Sequence, residues 1–354
     1  MVFSFLQKKL KPKLGIDISS SAVKILEFGL HQGAYRIESY AVEPLPVGLV
    51  VEKNITDTEG LANIIQQAVK KSGTQIKDAI AAVAGSAVIT RVIQLDAKLN
   101  DDEMEMQIRV EAEQYIPYPL DEVNIDFMVQ GPSEEYVDKV DVLLTACRSE
   151  TVDLRADALV LAGLTPQVID VESYAMERAF NLIADTISGG KEQAIAIIDI
   201  GASITTLYIL LDGEVIYSRE QVFGGRQLTD EIQRRYGLSA EEAGFAKKRG
   251  GLPEDYDSEV LAPFKEAVVQ QVIRSLQFFF SSSQYNHVDH IVLAGGTSAI
   301  AGLCEMVQDK MGTITQLVDP FMDIAIGPRV NAAQLYEDAP ALMIACGLAL
   351  RSFE

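Results

Sequence analysis

The sequence predicts an α/β protein of two similar lobes around a shared cleft, the first lobe enlarged by an inserted subdomain. Three observations lead there. A strand-ending motif occurs twice: residues 14–21 read LGIDISSS and residues 196–203 read AIIDIGAS. Each copy is followed by two further apolar runs separated by a glycine turn, so each half opens as a three-strand meander. Beyond each meander, runs with helical spacing alternate with short apolar runs, which puts helices on the faces of a mixed sheet.

In the first half, a strand ending at Asp17 is followed by strands over 22–28 and, past Gly33, over 35–42. Leu61, Ile64, Ile65, Ala68 and Val69 recur at helical spacing and predict a helix over 59–71. A strand over 79–83, a later strand over 165–171 and a helix over 173–186 complete this half. In the second half, the strand ending at Asp199 leads to strands over 204–211 and, past Asp212 and Gly213, 214–222. Helices over 228–236 and 260–280, a strand over 290–293, a helix over 299–311, a strand over 315–318 and a closing helix over 339–350 follow. The interval from Thr90 to about Gly163 has no counterpart in the second half. It predicts a charged helix over 101–115, a Pro117-Tyr118-Pro119 break, strands over 123–129 and 139–146, and a helix over 151–161. The expected organisation is a tail over 1–13, a first lobe over 14–90 and 164–190, an insertion over 91–163 and a second lobe over 191–354. An insertion of this size offers an edge or groove to a partner, away from the cleft.

The 354 residues suit two cores rather than one, and 48 % hydrophobic residues can fill them. A net charge of −21 repels phosphate backbones and anionic headgroups, so nucleic acid is not an expected partner. Lys8, Lys9, Lys11 and Lys13, after Phe3, Phe5 and Leu6, form the one basic patch; it reads as a loose terminus rather than a membrane-touching segment. Cys147, Cys304 and Cys346 are scattered, which suggests a reducing compartment, no disulfide framework and no zinc site. His287 and His290 lack an evident third ligand and read as a solvated pair. The apolar run 194–211 approaches the length of a membrane span, but Asp199, Gly201 and a Ser/Thr cluster interrupt it, so it reads as two buried strands and a turn.

A turn of small residues after a strand exposes successive backbone N–H groups, and such a nest binds phosphate oxygens. Ser19, Ser20 and Ser21 form one candidate nest, and Gly201, Ala202 and Ser203 the other. Asp17 and Asp199, at the strand ends just before the nests, can hold a hydrated Mg²⁺ through water. A third turn, Gly295-Gly296-Thr297, lets the backbone approach a flat ligand such as adenine. No Walker loop and no strand-following GxGxxG occurs.

These residues resemble the actin, Hsp70 and FtsA ATPase superfamily and, within it, the PilM family of type IV pilus assembly proteins, over essentially the whole chain. The resemblance implies an actin-like (ribonuclease H-like) fold with an FtsA-type insertion, and ATP with Mg²⁺ as cofactors. It carries over Asp17 and Asp199 as metal-water ligands, Ser19, Ser20, Ser21, Gly201, Ala202 and Ser203 as phosphate contacts, and Lys24 as a phosphate-neutralising lysine. Gly224 and Gly225 resemble the segment that nears ribose and phosphates, Glu242 and Lys247 the helix flanking the nucleoside, and Gly295, Gly296 and Thr297 the adenosine motif. The run 345–350 resembles a hinge helix. Glu172 resembles the Hsp70 glutamate that positions water, and reads equally as a helix N-terminal glutamate favoured by the dipole. No substitute for the additional Hsp70 catalytic lysine is identifiable. Ser19 stands where glycine is usual, which narrows the first loop and points to slow turnover at most; Gly244 stands where an acidic residue is frequent.

The family resemblance further implies a cytoplasmic scaffold peripheral to the inner membrane. Its expected partner is the cytoplasmic N-terminal peptide of PilN, with pilus motor ATPases beyond, and nucleotide state would tune partner binding. Membrane association would be indirect, through the partner, because the chain stops after the closing helix where FtsA carries a membrane-targeting one. A filament-forming FtsA-like ATPase, a small-molecule kinase of the same superfamily and a pseudo-ATPase remain open. ATP-dependent light scattering, phosphate transfer to sugars and nucleotide extraction separate them.

Overall fold

The computed structural model describes residues 11–187 and 193–354; the phenylalanine- and lysine-bearing stretch 1–10 lies outside the described residues, as does 188–192. The first lobe opens with β1 (Leu14–Ile18), β2 (Ala22–His31) and β3 (Ala34–Pro44), then a small hairpin of β4 (Val50–Val51) and β5 (Asn54–Ile55). Helix α1 (Thr58–Ser72) follows, started by the Asp57 side chain accepting from Gly60 N–H and stopped by left-handed Gly73. Next come β6 (Asp78–Val83), β7 (Val88–Asp96), α2 (Asp101–Ala112), β8 (Val123–Pro132), β9 (Lys139–Arg148), α3 (Ser149–Leu161), β10 (Thr165–Val171) and α4 (Glu172–Ile183).

The second lobe holds β11 (Ile195–Ile200), β12 (Thr205–Leu211), β13 (Glu214–Gln221), α5 (Gly225–Tyr236), α6 (Ala240–Arg249) and α7 (Ala262–Ser282). It continues with β14 (His290–Ala294), α8 (Leu303–Met311), β15 (Ile314–Leu317), β16 (Ala325–Ile326), α9 (Ala332–Asp338) and α10 (Met343–Leu350).

The duplication seen in the motifs is repeated in the sheets. The order is β10-β6-β1-β2-β3-β16 in the first lobe and β13-β12-β11-β14-β15 in the second, so both share one connectivity apart from β16. In each, the middle strand of the meander runs antiparallel and the later strands run parallel to the Asp-ending strand. The apolar run 194–211 forms β11 and β12, paired from Ile195↔Leu210 to Ile200↔Thr205. No helix among the described residues is long and apolar enough to cross a membrane.

Several assignments differ from the sequence expectation. Helix α3, placed with the insertion, belongs to the first-lobe core: Ala158 and Leu159 pack with Leu61, Ile65 and Ala68 of α1. It supplies the helix between β6 and β10 that the first half otherwise lacks. The three-stranded insert sheet, in the order β7-β9-β8, begins at Val88, and α2 covers one of its faces through Met104 and Ile108. The second-lobe boundary at 191 does not contain everything beyond it, since β16 pairs with β3 and α10 lies against α4 and the first sheet. Every residue of α10 is buried. A helix apolar on all sides needs cover on all sides, and it finds that between the two sheets. Its cluster joins Leu26 and Ile80 of the first sheet to Ile197 and Val292 of the second. The expected helix over 299–311 starts only at Leu303, after left-handed Gly302. His290 is buried at the start of β14 and His287 is exposed, hydrogen-bonded to Asn286; no group of three potential metal ligands occurs among the described residues.

Candidate functional site

Asp17 and Asp199 occupy equivalent places, the fourth residue of β1 and the fifth of β11, each one residue from the strand's end. The two turns that follow touch: Ser20 Oγ donates to Ser203 Oγ at 3.0 Å. The first turn is tightened by Ser19, whose N–H and hydroxyl both donate to the Ala22 carbonyl, at 3.1 and 2.9 Å. Ser19 is thereby committed to the turn, and among the predicted contacts of this loop Ser20 and Ser21 keep uncommitted N–H groups. Among the described residues, no hydrogen bond is donated by the N–H of Ser20, Ser21, Ala202, Ser203 or Gly296. Unpaired donors grouped at facing turns form an anion site.

The second turn is built with glycine for a steric reason. Gly225 and Arg226 N–H donate to the carbonyls of Gly201 and Ala202, at 3.0 and 2.7 Å, fastening the start of α5 to the loop. A Cβ on Gly224 would sit 2.5 and 2.6 Å from those two carbonyl oxygens. Thr297 closes the same knot, its hydroxyl donating to Gly201 at 2.9 Å. Gly295 has φ +87 and its Cβ position is taken by Asp199 and the Ile200 carbonyl, so only glycine fits there. Gly296 lies beside Ala341.

The electrostatics centre on four carboxylates and two lysines. Lys24 faces Asp17 across the β1–β2 pair, with Nζ 2.7 Å from Oδ2. Burial works against its charge, but Asp17, then Asp199 and Glu172, outweigh burial and raise its pKa. Lys24, expected at phosphate, is thus held first by Asp17. Glu172 is buried at the start of α4; burial raises its pKa, Lys53 pulls it down and Asp17 pushes it up. Asp199 is also raised, by burial first, with Lys24 and Lys53 opposing and Asp17 reinforcing. Asp199 is the end of no side-chain hydrogen bond or ion pair among the described residues. A partly desolvated carboxylate without a partner, beside a second carboxylate, is chemically suited to a hydrated cation.

Lys53 is the residue that sequence reasoning missed. It sits in the β4–β5 turn at φ 66, next to Glu52 at φ 47. Its Nζ lies 2.6 Å from Glu172 Oε2 and 3.0 Å from Glu220 Oε1. Burial opposes its charge, but Glu172, Tyr208 and Glu220 raise its pKa well above the usual lysine value. Its carbonyl is held by buried Arg155, whose Nη2 donates at 2.9 Å while Nε donates to Ala82 at 2.7 Å. No period or motif surrounds Lys53; the one local signal is a polar Glu-Lys-Asn run between Val50-Val51 and Ile55.

On α6 the two expected residues part company. Lys247 Nζ reaches back to α5, donating to Gly225 at 3.1 Å and Thr229 Oγ1 at 2.8 Å. Burial, then Lys248, lowers its pKa to about 8. Glu242 is not brought to this cluster: its carboxylate accepts from Ser239 N–H at 2.8 Å in a capping box. The reciprocal Ser-x-x-Glu pattern satisfies two helix-end donors locally, which outcompetes a longer reach.

A family model described as "Type IV pilus assembly protein PilM" matches residues 15–353. The structure of a PilM-PilN type IV pilus biogenesis complex is similar with a TM-score of 0.79 and 31 % identity, covering 97 % of this chain and 99 % of that one. Ethanolamine utilization protein EutJ from Carboxydothermus hydrogenoformans is similar with a TM-score of 0.59 at 14 % identity, covering 96 % and 89 % of the two chains. The cell division protein FtsA of Bacillus subtilis (strain 168) is 22 % identical over 349 residues, 87 % of this chain and 78 % of that protein. The duplicated sheets and these likenesses make the fold actin-like.

Proposed function

The chain belongs to the PilM family of type IV pilus assembly proteins, and on that premise we propose that it is a nucleotide-dependent scaffold of pilus assembly. ATP is clasped between the two Asp-led turns, and the insertion, from β7 to β9, with the adjoining lobe surface grips the cytoplasmic N-terminal peptide of PilN. Through that peptide the protein sits at the inner membrane and links PilN to the pilus motor. The observation that carries the nucleotide half is the meeting of two equivalent turns, Ser20 against Ser203 at 3.0 Å, with uncommitted N–H groups on both.

The uncommitted N–H groups of Ser20, Ser21, Ala202 and Ser203 donate to the polyphosphate oxygens. Gly225, Gly296 and Thr297 bring backbone close to the nucleoside, and the Lys247 ammonium reaches from α6 to the start of α5. Mg²⁺ would be held through water by Asp199 and Asp17, and supplies charge neutralisation for the phosphates. Glu172, the candidate for positioning water, has its carboxylate tied to Lys53. Hydrolysis therefore needs that pair to loosen, and turnover is slow. The partner half is supported by a cavity of about 220 Å³ where the insertion meets the first lobe, lined by Ser86, Ile89, Ile116, Tyr118, Cys147 and Arg148. Its apolar side chains, with one cation at Arg148, suit the end of a short peptide.

Calorimetry with Mg-ATP tests the first half. Asp199→Ala is expected to abolish Mg-dependent ATP binding in a protein that still melts cooperatively; unchanged affinity would mean that the cleft is assigned wrongly. A fluorescent PilN cytoplasmic peptide tests the second, with Tyr118→Ala expected to weaken binding about tenfold.

A further inference from the structure

Glu220 lies near the end of β13, the edge strand of the second sheet, yet both of its carboxylate oxygens are used by the first lobe. Oε1 accepts from Lys53 Nζ at 3.0 Å and Oε2 from Ser86 Oγ at 2.7 Å. The Glu220 and Lys53 side chains are 17 % and 16 % exposed, so solvent and salt screen this pair weakly. Ser218 on the same strand also faces this turn, its hydroxyl 3.9 Å from where a Cβ on Gly85 would lie.

The two first-lobe partners are not arbitrary surface groups. Ser86 belongs to the short turn Gly85–Ala87, the connection by which the chain leaves β6 and enters the insertion at β7. It also lines the cavity at the base of the insertion, together with Cys147 and Arg148 from the returning strand. Lys53 is bound on its other side to Glu172 at the start of α4, and its carbonyl is pinned through Arg155 to Ala82 near the end of β6. One second-lobe carboxylate thus touches both the charged cluster behind the cleft and the root of the insertion.

We propose that Glu220 is a latch that transmits the position of the second lobe to the insertion. With the lobes as they stand, it clamps Ser86 and Lys53; when β13 moves with its lobe, Ser86 is released and the cavity beside it changes shape. What moves the lobe rests on the nucleotide reading above, whereas the clamp itself does not. Because coupling is reciprocal, a peptide seated beside Ser86 would alter nucleotide affinity by the same factor by which nucleotide alters peptide affinity.

Cys147 provides a native reporter. It is buried at 8 % exposure in the wall of the cavity, and peptide mapping separates it from Cys304 and Cys346. Thiol labelling of Cys147 and amide hydrogen exchange over 85–88 are measured first on nucleotide-free protein. Glu220→Ala is expected to raise both rates about tenfold, the equilibrium effect of losing a charge-assisted hydrogen bond. Exposed Glu214 on the same strand serves as control, and Glu214→Ala is expected to change neither rate. Glu220→Ala rates equal to wild type would overturn the latch. Mg-AMPPNP is then added to wild type and to Ser86→Ala, with nucleotide affinity followed by calorimetry. The wild type is expected to shift its Cys147 labelling rate, and Ser86→Ala, with no clamp left to break, to bind nucleotide a few-fold more tightly and without the shift. A full shift in Ser86→Ala would refute transmission through this contact. Failure of wild type to bind nucleotide would remove the ATP reading, and the latch would still stand or fall on the nucleotide-free comparison.

Discussion

Gly347→Ala and Gly244→Ala are the same chemical change inside two helices, and the structure predicts opposite signs for them. Gly347 is the fifth residue of α10, where that helix crosses α4. A Cβ there would fall 2.8 Å from the Ala175 Cα and nearer still to the Ala175 carbonyl carbon and oxygen, against the 3.0 Å that real Cβ atoms respect. All of these are backbone atoms, so no side chain can swing away, and the helices must part. Parting them loosens a cluster that includes Met176, Ala179, Phe180, Leu348 and Ala349, and strains the Arg178 Nε bond to the Gly347 carbonyl at 2.9 Å. Overpacking against backbone costs about 3 kcal/mol or more, which lowers Tm by roughly 4 °C or more in a chain of this size. Gly244 lies in α6 with a helical backbone, and nothing stands within 4 Å of where its Cβ would be. Alanine there gains about 0.5–1 kcal/mol from helix propensity alone, a rise in Tm of roughly 1 °C. Thermal melts followed by circular dichroism decide it. A Gly347→Ala melt indistinguishable from wild type, or a drop in Gly244→Ala as large as in Gly347→Ala, would refute the close α4–α10 crossing as the reason for glycine.

Lys53→Met leaves Glu172 and Glu220 buried together without their shared cation, a loss of about 3–5 kcal/mol at neutral pH. Glu172 is already raised by burial, and losing Lys53 raises it further, so acid protonates it ahead of an ordinary glutamate and relieves part of the penalty. Urea midpoints at pH 7 and pH 5 should show the gap to wild type shrinking in acid; a constant gap would mean that charge is not its cause. Lys247 has a pKa of about 8, depressed by burial and then by Lys248, so folding disfavours its charged form. The sign for stability is that this group's penalty is complete below about pH 8 and is relieved as pH rises toward the unfolded lysine value. Bound phosphate favours the charged form, so ATP binding above pH 8 should take up a proton and weaken as pH rises. Calorimetry in buffers of different ionisation enthalpy should detect that proton in wild type and miss it in Lys247→Met; equal uptake in both would exclude Lys247 from the nucleotide site. Tyr118→Ala and Asp199→Ala should separate, one weakening only the peptide and the other only the nucleotide.

The two Asp-led turns were legible because everything that makes them is local: an apolar strand, an aspartate at its end, small residues next, and a meander after. The same holds for α1 and for the turn at Gly295, where period, cap and glycine lie within a few residues of one another. Duplication then implied the paired sheets, and the sheets carry one strand order. The structure settled what depends on neighbours distant in sequence. Lys53 meets Glu172 and Glu220 at separations of 119 and 167 residues, and no periodicity reports such a pair. Helix α3 follows the insertion in the chain yet completes the first-lobe core, because its Ala158 and Leu159 fit α1 and not the insert sheet. The closing segments 325–326 and 343–350 return to the first sheet, since α10 is apolar on every side and only the space between the sheets covers all of it. Local pattern determines backbone conformation and which face is buried; which partner buries it is decided by the lowest-energy packing of the whole chain.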